Sequence, residues 1–375
     1  MSRLITSKKS DVITEPFNRL LSNIIRFFMK KIILLVFILG INISLKAQSI
    51  NDSITIELTK ISKKNALVGF SVAMVNKDSI IYAKGFGNAD KKSNTPYNIH
   101  TVQPVASVSK TLLAVALMKA QEMGKLHLND PINNYLPFKI NNPNFSNEKI
   151  TIRQLANHTS SILDGDFYEK TYVYKNAIPA FYKHFEDNSL KADVKQWVDM
   201  VNTNKMMPLG KFIKKQYVKD QAWYNTAQNF SNNRPGSTYK YSNMGANIAA
   251  YIIEQATGEN YANFVKKHIL EPLQMKNSGW RGKNYEPTNQ STLYWMGHPL
   301  PDSDLITYPD GNFMSSVIDY GTFLSTMIQG CQGEDNVLTS KSYKVMMKNP
   351  VSSDFKKGIF WSVDSEKIGH SGNDP

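Results

Sequence analysis

From Ala66 the chain alternates apolar and polar positions through LVGFSVAMV, breaks at a polar NKD and resumes in SIIYAKGFG. That pattern predicts two strands joined by a tight turn. DKKSNTPYNIHTVQP, punctuated by Asn and Pro, predicts a loop. The pattern then changes to QPVASVSKTLLAVALMKAQEMGKL, a very apolar helix ending near Gly124, after which HLNDPINNYLP turns the chain. TIRQLANH at 151–158 predicts a short helix begun by a Thr cap. Residues 165–235 are aromatic- and lysine-rich, with helix expected around 191–202 and no repeat. A Pro-Gly turn in NNRPGSTYKYSN enters the helix MGANIAAYIIEQATG, closed by Gly258, and ENYANFVKKHIL and EPLQMKNSGW follow. PDGNFMSS breaks into the helix VIDYGTFLSTMIQG, and KGIFWSVDSEKIGHSG predicts a late hairpin turning at Asp364–Lys367.

Strands at both ends with helices between predict an α+β fold. The expected architecture is an antiparallel sheet built from both chain ends and flanked by helices, plus an all-helical region. The first part of the sheet domain is expected over 48–105, the helical region over 106–290, and the second part of the sheet over 291–375.

Composition removes several function classes. The 375 residues are 41% hydrophobic and 20% charged, enough apolar material for a large core. Net charge is +13, but eight Lys or Arg and two Asp or Glu among the first 47 residues account for +6 of it. The remaining +7 is spread along the chain, which argues against a nucleic-acid footprint. A single cysteine, Cys331, excludes an internal disulfide and any zinc-finger spacing; its polar, Gly-flanked surroundings predict a free loop or helix-end thiol. Met29 to Gln48, MKKIILLVFILGINISLKAQ, has the basic start, apolar run and small Ala47 of a secretory signal. Residues 1–47 are therefore expected to be an upstream extension and signal peptide starting at Met29. The protein is expected to be exported, with membrane contact only through an uncleaved signal segment.

Candidate chemistry begins with a serine and a lysine three residues apart. Ser-x-x-Lys occurs four times: Ser107/Lys110, Ser146/Lys149, Ser237/Lys240 and Ser353/Lys356. Only Ser107 opens a long apolar helix. Helix-start N–H groups are unpaired and the dipole is positive there, which favours a serine nucleophile and an oxyanion. Lys110 lies one turn on, on the same face, where partial burial would free its amine to take the serine proton. The same residues also fit a Ser N-cap followed by a snorkelling lysine. Tyr241-Ser242-Asn243 supplies a phenol able to relay protons and an amide able to hold lysine and substrate carbonyl together, although a surface Tyr and a helix-capping Asn fit too. His370-Ser371-Gly372 at the end of a predicted strand would let a substrate lie along the strand edge.

In order, these three elements resemble the serine β-lactamase and penicillin-binding-protein superfamily, and more closely the class C β-lactamase-related serine hydrolases. ASVSKTLLA, ITIRQLANHTSSI, RPGSTYKYSNMGANIAAYIIEQATG, ILEPLQMKNSGW, YPDGNFMSS and IGHSG carry the likeness over most of the chain. The resemblance implies a β-lactamase/transpeptidase-like fold and hydrolysis of amide or ester bonds through an acyl-enzyme. Ser107 would be acylated, with Lys110 as its partner. Tyr241 would relay protons to and from the leaving group, and Asn243 would order the site. His370, Ser371 and Gly372 would line the cleft, with the N–H groups of Ser107 and Asn373 as oxyanion hole. Either Lys110 or Tyr241 could be the base. No metal or cofactor is implied. A monomer is expected, acting on a small molecule or peptide, with peptidoglycan fragments among the candidates.

Two departures from the family matter. The triplet is HSG rather than KTG, replacing a permanent cation with a histidine, which fits peptidases, amidases and esterases better than antibiotic hydrolysis. In the family, further strands and a terminal helix follow the triplet, whereas Asn373, Asp374 and Pro375 follow here. The resemblance thus implies a truncated chain or an incomplete sequence, with, as it stands, an expected open sheet edge and an unstable or inactive fold. Two rivals remain. GHSGN is close to the Gly-x-Ser-x-Gly elbow of α/β-hydrolases, but no ordered Asp and His follow. A non-hydrolytic penicillin- or peptidoglycan-binding relative would keep all three motifs. Residues 165–235 would border the cleft, with His184 and Trp223 read as packing residues.

Overall fold

The computed structural model describes residues 29–31, 50–64, 67–348, 358–364 and 366–373. The signal-peptide reading of Met29–Gln48 falls almost wholly outside them, as do Ser353 and Lys356. The chain divides into two compact units, Met1–Lys64 and Asn65–Pro375. In the first, residues 50–64 form a helix.

In the second unit the predicted first hairpin forms as β1 (Gly69–Val75) and β2 (Ile80–Asp90), paired antiparallel, and β3 (Thr95–Pro96) joins β2. Asn76 makes the turn: its Oδ1 accepts the Asp78 and Ser79 N–H groups at 2.8 Å each. A second sheet has β10 (Met314–Ser316) between β4 (Val102–Pro104) and β6 (Ser278–Gly279), all antiparallel. Smaller pairs are β5 (Tyr172–Tyr174) with β9 (Ser303–Leu305) and β7 (Tyr294–Trp295) with β8 (His298–Pro299). The late hairpin is β11 (Ser362–Val363) and β12 (Ile368–Gly369), closed by Asp364 N–H donating to Lys367 O at 3.0 Å.

A single sheet joining both chain ends was expected; among the described residues the late hairpin instead pairs with itself. Its strands are two residues long, and their one pair of rungs is used within the hairpin. It is docked to helices rather than strands. Phe360 N–H donates to Ala156 O and Ile359 N–H to Met346 O, each at 2.8 Å.

Among the described residues of the second unit, eight α-helices have five residues or more. α1 (Ser109–Glu122) follows a 3-10 turn at Ala106–Val108, and all ten residues from Ser109 to Met118 are buried. A helix apolar on every face belongs in the middle of a core, and α1 packs on α5 (Asn243–Thr257) there. α5 starts at the Ser242 cap and stops at Gly258, whose φ of 74° ends the helix in the left-handed region. α2 (Ile152–Ala156) has a Thr151/Gln154 capping box, fulfilling the Thr-cap expectation. α3 (Asn188–Val201) and α4 (Leu209–Tyr217) lie in the segment where only one helix was expected. α6 (Tyr261–Val265) precedes α7 (Val317–Cys331), which lies on β1 and β2 and carries Cys331 at its end, and α8 (Ser340–Met347) follows. Trp223 packs as expected, stacked 5.4 Å from Phe167. His184 does not; it is exposed on a short 3-10 turn whose apolar residues, Phe181 and Tyr182, face inward.

Candidate active site

The chain reaches Ser107 through a forced bend. Ala106 has φ of +48°, a conformation that costs a non-glycine residue about 1–3 kcal/mol and needs outside support. The support comes from Phe313, just before β10. Val105 N–H donates to Phe313 O at 2.9 Å, and Phe313 N–H donates to Ser109 Oγ at 3.1 Å. Ser109 in turn donates to Ala106 O at 2.6 Å. The bend presents the Ser107 side chain, half-buried, at the mouth of the core while α1 runs inward. The Ser107 N–H lies in the first turn, where no helical carbonyl precedes it.

Lys110 is one turn deeper and has no exposed surface, so the partial burial expected from sequence is an underestimate. Three acceptors from different segments make this tolerable: Ser107 Oγ at 3.0 Å, Asn243 Oδ1 at 2.8 Å and Asp310 O at 2.8 Å. Tyr241 Oη donates to Ser107 Oγ at 2.9 Å, and the Lys110 Nζ lies 5.2 Å from the Tyr241 ring centre. Hydroxyl, amine and phenol therefore meet at one oxygen. Of the other Ser-x-x-Lys pairs, Ser146/Lys149 and Ser237/Lys240 are exposed in turns, with Ser237 Oγ donating to Arg234 O at 2.7 Å.

Tyr241 is 36% exposed and its ring rests on His158, 4.6 Å between centres. His158 Nδ1 accepts the Ser242 N–H at 3.2 Å, which leaves Nε2 to carry the ring proton. His158 also meets Phe360 edge-on at 5.5 Å, linking the phenol to the late hairpin. That hairpin brings the triplet to the site. A Cβ on Gly372 would stand 2.5 Å from Val105 O and 3.3 Å from Ser107 N, so only glycine lets the two main chains run this close. His370 lies 6.5 Å from the Tyr241 ring, with Nδ1 2.5 Å from Ser371 O; Ser371 and Asn373 are exposed beside it.

Two acids surround this group that sequence reasoning missed. Asp164 accepts from Ser242 Oγ at 3.0 Å, Met244 N–H at 2.9 Å and Asn243 Nδ2 at 3.0 Å, fixing which way the Asn243 amide faces Lys110. Burial pushes its carboxyl above the ordinary range against those donors. Asp310 is wholly buried, and burial pushes it up to about 7 although Lys110 pulls the other way. Their only sequence signal is position, within or just past the ITIRQLANHTSSI and YPDGNFMSS blocks.

The family model described as Beta-lactamase matches residues 57–372. Protein flp of Staphylococcus aureus (strain MW2) is 23% identical over 317 residues, covering 83% of this chain and 56% of that protein. The putative penicillin-binding protein PbpX of Bacillus subtilis (strain 168) is 28% identical over 313 residues, 80% of this chain and 64% of the relative. The octameric penicillin-binding protein homologue from Pyrococcus abyssi shares the fold, with a TM-score of 0.60 at 21% identity over 84% of this chain and 64% of that one. The chain thus spans between about half and two thirds of the length of these relatives. With the family pattern running from residue 57 to residue 372, through the Ser107 turn, the Tyr241 phenol and the Gly372 strand, the chain belongs to the beta-lactamase family.

Proposed function

We propose that the protein is a serine hydrolase that cleaves amide or ester bonds through an acyl-enzyme on Ser107. The observation that carries this reading is the contact of Ser107 Oγ with both the Lys110 amine and the Tyr241 phenol, at 3.0 and 2.9 Å. Ser107 Oγ adds to the substrate carbonyl as its proton leaves to the amine or the phenol. The oxyanion that forms lies by the Ser107 N–H and the strand end at Gly372 and Asn373. Tyr241, at the solvent side, delivers a proton to the leaving nitrogen or oxygen as its bond to the acyl carbon breaks. Water then repeats the addition and frees Ser107.

β-Lactams, D-amino-acid peptides and carboxylic esters are the substrate classes. His370 in place of a permanent cation favours substrates that do not depend on an ion pair with a carboxylate. We place the enzyme outside the cytoplasm, on the Met29–Gln48 pattern. The names of two relatives, a putative penicillin-binding protein and a penicillin-binding protein homologue, favour a second reading in which the acyl group is held rather than released.

A fluorescent penicillin and a nitrophenyl ester separate the readings. Continuous release supports the hydrolase, and one equivalent of bound label without release supports the holding protein. Label or turnover that survives Ser107→Ala removes Ser107 from the mechanism.

A further inference from the structure

Lys110 is one buried amine facing two acids, and the acids differ. Asp164 receives donors on both oxygens, Ser242 Oγ and Met244 N–H on Oδ1 and Asn243 Nδ2 on Oδ2, a pattern that suits a fixed carboxylate. Asp310 receives Tyr168 Oη at 2.8 Å and Asn247 Nδ2 at 2.7 Å, both on Oδ2. Its Oδ1 has Thr307 Oγ1 at 3.5 Å, the outer limit of a hydrogen bond. A proton can sit on Oδ1 without displacing either donor. Asp310 can therefore change charge while keeping both short hydrogen bonds on Oδ2.

The same residue grips the amine. Lys110 Nζ has two partners that can only accept, Asn243 Oδ1 and the Asp310 main-chain oxygen. In the neutral amine those two take both N–H groups, and the lone pair is left for Ser107 Oγ. When Ser107 Oγ bonds to the acyl carbon, its proton moves onto that lone pair and an ammonium forms inside the core. Resting on the acyl-enzyme reading above, we propose that Asp310 is a positioning residue whose ionised carboxylate stabilises the positive charge Lys110 gains on taking the Ser107 proton.

The groups facing the Asp310 carboxyl are Lys110 from α1, Asn247 from α5, Tyr168 from the 3-10 turn Tyr168–Thr171, Thr307 from its own turn, and Asp164 from beyond Asn243. Burial and Asp164 push its titration up; the Tyr168 and Asn247 donors pull it down, and Lys110 adds to that pull once it carries a proton, so the charge appears across neutrality. Acylation should then speed up as pH rises through that range.

The test is Asp310→Asn in the full chain, a near-isosteric stand-in for the protonated acid. Acylation rates with a nitrophenyl ester are read from about pH 5.5 to about pH 8.5. The wild-type to variant ratio is expected to start near one and rise about tenfold, the effect of one unit of proton affinity. A ratio constant across the range, as a purely structural role gives, or a variant faster than wild type overturns the proposal. Tyr168→Phe removes one donor from the ionised form, so the rise moves to higher pH; an unmoved rise also overturns it. Thermal melts provide a readout free of activity. The folded carboxyl titrates above its ordinary 3.8, so wild type loses stability from about pH 4 to about pH 7, and the melting-point gap to Asp310→Asn widens over that window. A gap that does not widen sinks the titration. Acylation that survives Ser107→Ala counts against the acyl-enzyme reading instead, and the melts then decide for Asp310.

Discussion

Gly372 and Val105 touch main chain to main chain, with so little room that a single added carbon at 372 would stand 2.5 Å from the Val105 carbonyl oxygen. The late hairpin is held at the Ser107 turn by the absence of a side chain. Gly372→Ala must push the strand end outward. On the acyl-enzyme proposal, the expected result is acylation slowed at least tenfold, because the strand end proposed to face the oxyanion leaves the Ser107 N–H. Overpacking costs about 1–3 kcal/mol, and since β12 pairs only with β11 among the described residues, most of the strain is relieved by moving the hairpin. Stopped-flow acylation alongside a thermal melt checks both halves.

Tyr241→Phe keeps the ring on His158 and removes only the oxygen that meets Ser107. Loss of a proton relay typically costs about 10²- to 10⁴-fold in rate. The side chain is 36% exposed, so the melting point should stay within about 2 °C of wild type. A variant with near-normal turnover would move the relay to another group.

Asp164→Ala should damage the fold as well as the chemistry. It strands Ser242 Oγ, Met244 N–H and the Asn243 amide at the start of α5, each lost partner costing about 1–3 kcal/mol where buried. Asp164→Asn keeps the shape and one accepting oxygen but turns its NH2 toward a donor, so it should lose less than the Ala variant while still costing stability. Because burial raises this carboxyl above its ordinary value, its ionisation weakens the fold as pH rises. The Asn variant should therefore gain on wild type in melting point between acid and neutral pH, which a pH series of melts reads directly.

His370→Lys restores a permanent cation beside the cleft. Substrates carrying a carboxylate should gain about tenfold in kcat/KM relative to a neutral ester, within the range of a charge-assisted hydrogen bond. Parallel rates on a penicillin and on a nitrophenyl ester test this, and an unchanged ratio would mean that residue 370 does not face the carboxylate.

Much of this was legible because it is local. The Thr151 cap, the Gly258 stop and the Asn76 turn are each written within a few residues, and the three motif segments stand in a readable order. α4 was not read: Leu209, Phe212, Ile213 and Tyr217 keep helical spacing and are buried, but Lys211, Lys214 and Lys215 between them obscure the stripe. What could not be read is the wiring beneath the site. Asp164 and Asp310 sit in polar stretches that look like solvated loops, and their partners lie far along the chain. Ser107 is the one Lys110 acceptor that is local; Asn243 and Asp310 come from distant segments that only the fold brings together, so the dry setting of the amine was not legible.

The short stretch from Asp310 to Phe313 performs two services at once. Asp310 holds the amine through its carbonyl, and Phe313 pins the left-handed Ala106 bend that aims the hydroxyl. Four residues thus join the setting of the Lys110 amine to the direction in which the Ser107 hydroxyl points. An engineer, or a lineage under selection, cannot adjust one without disturbing the other, so new specificities are more accessible through the outer walls of the cleft than through this strap.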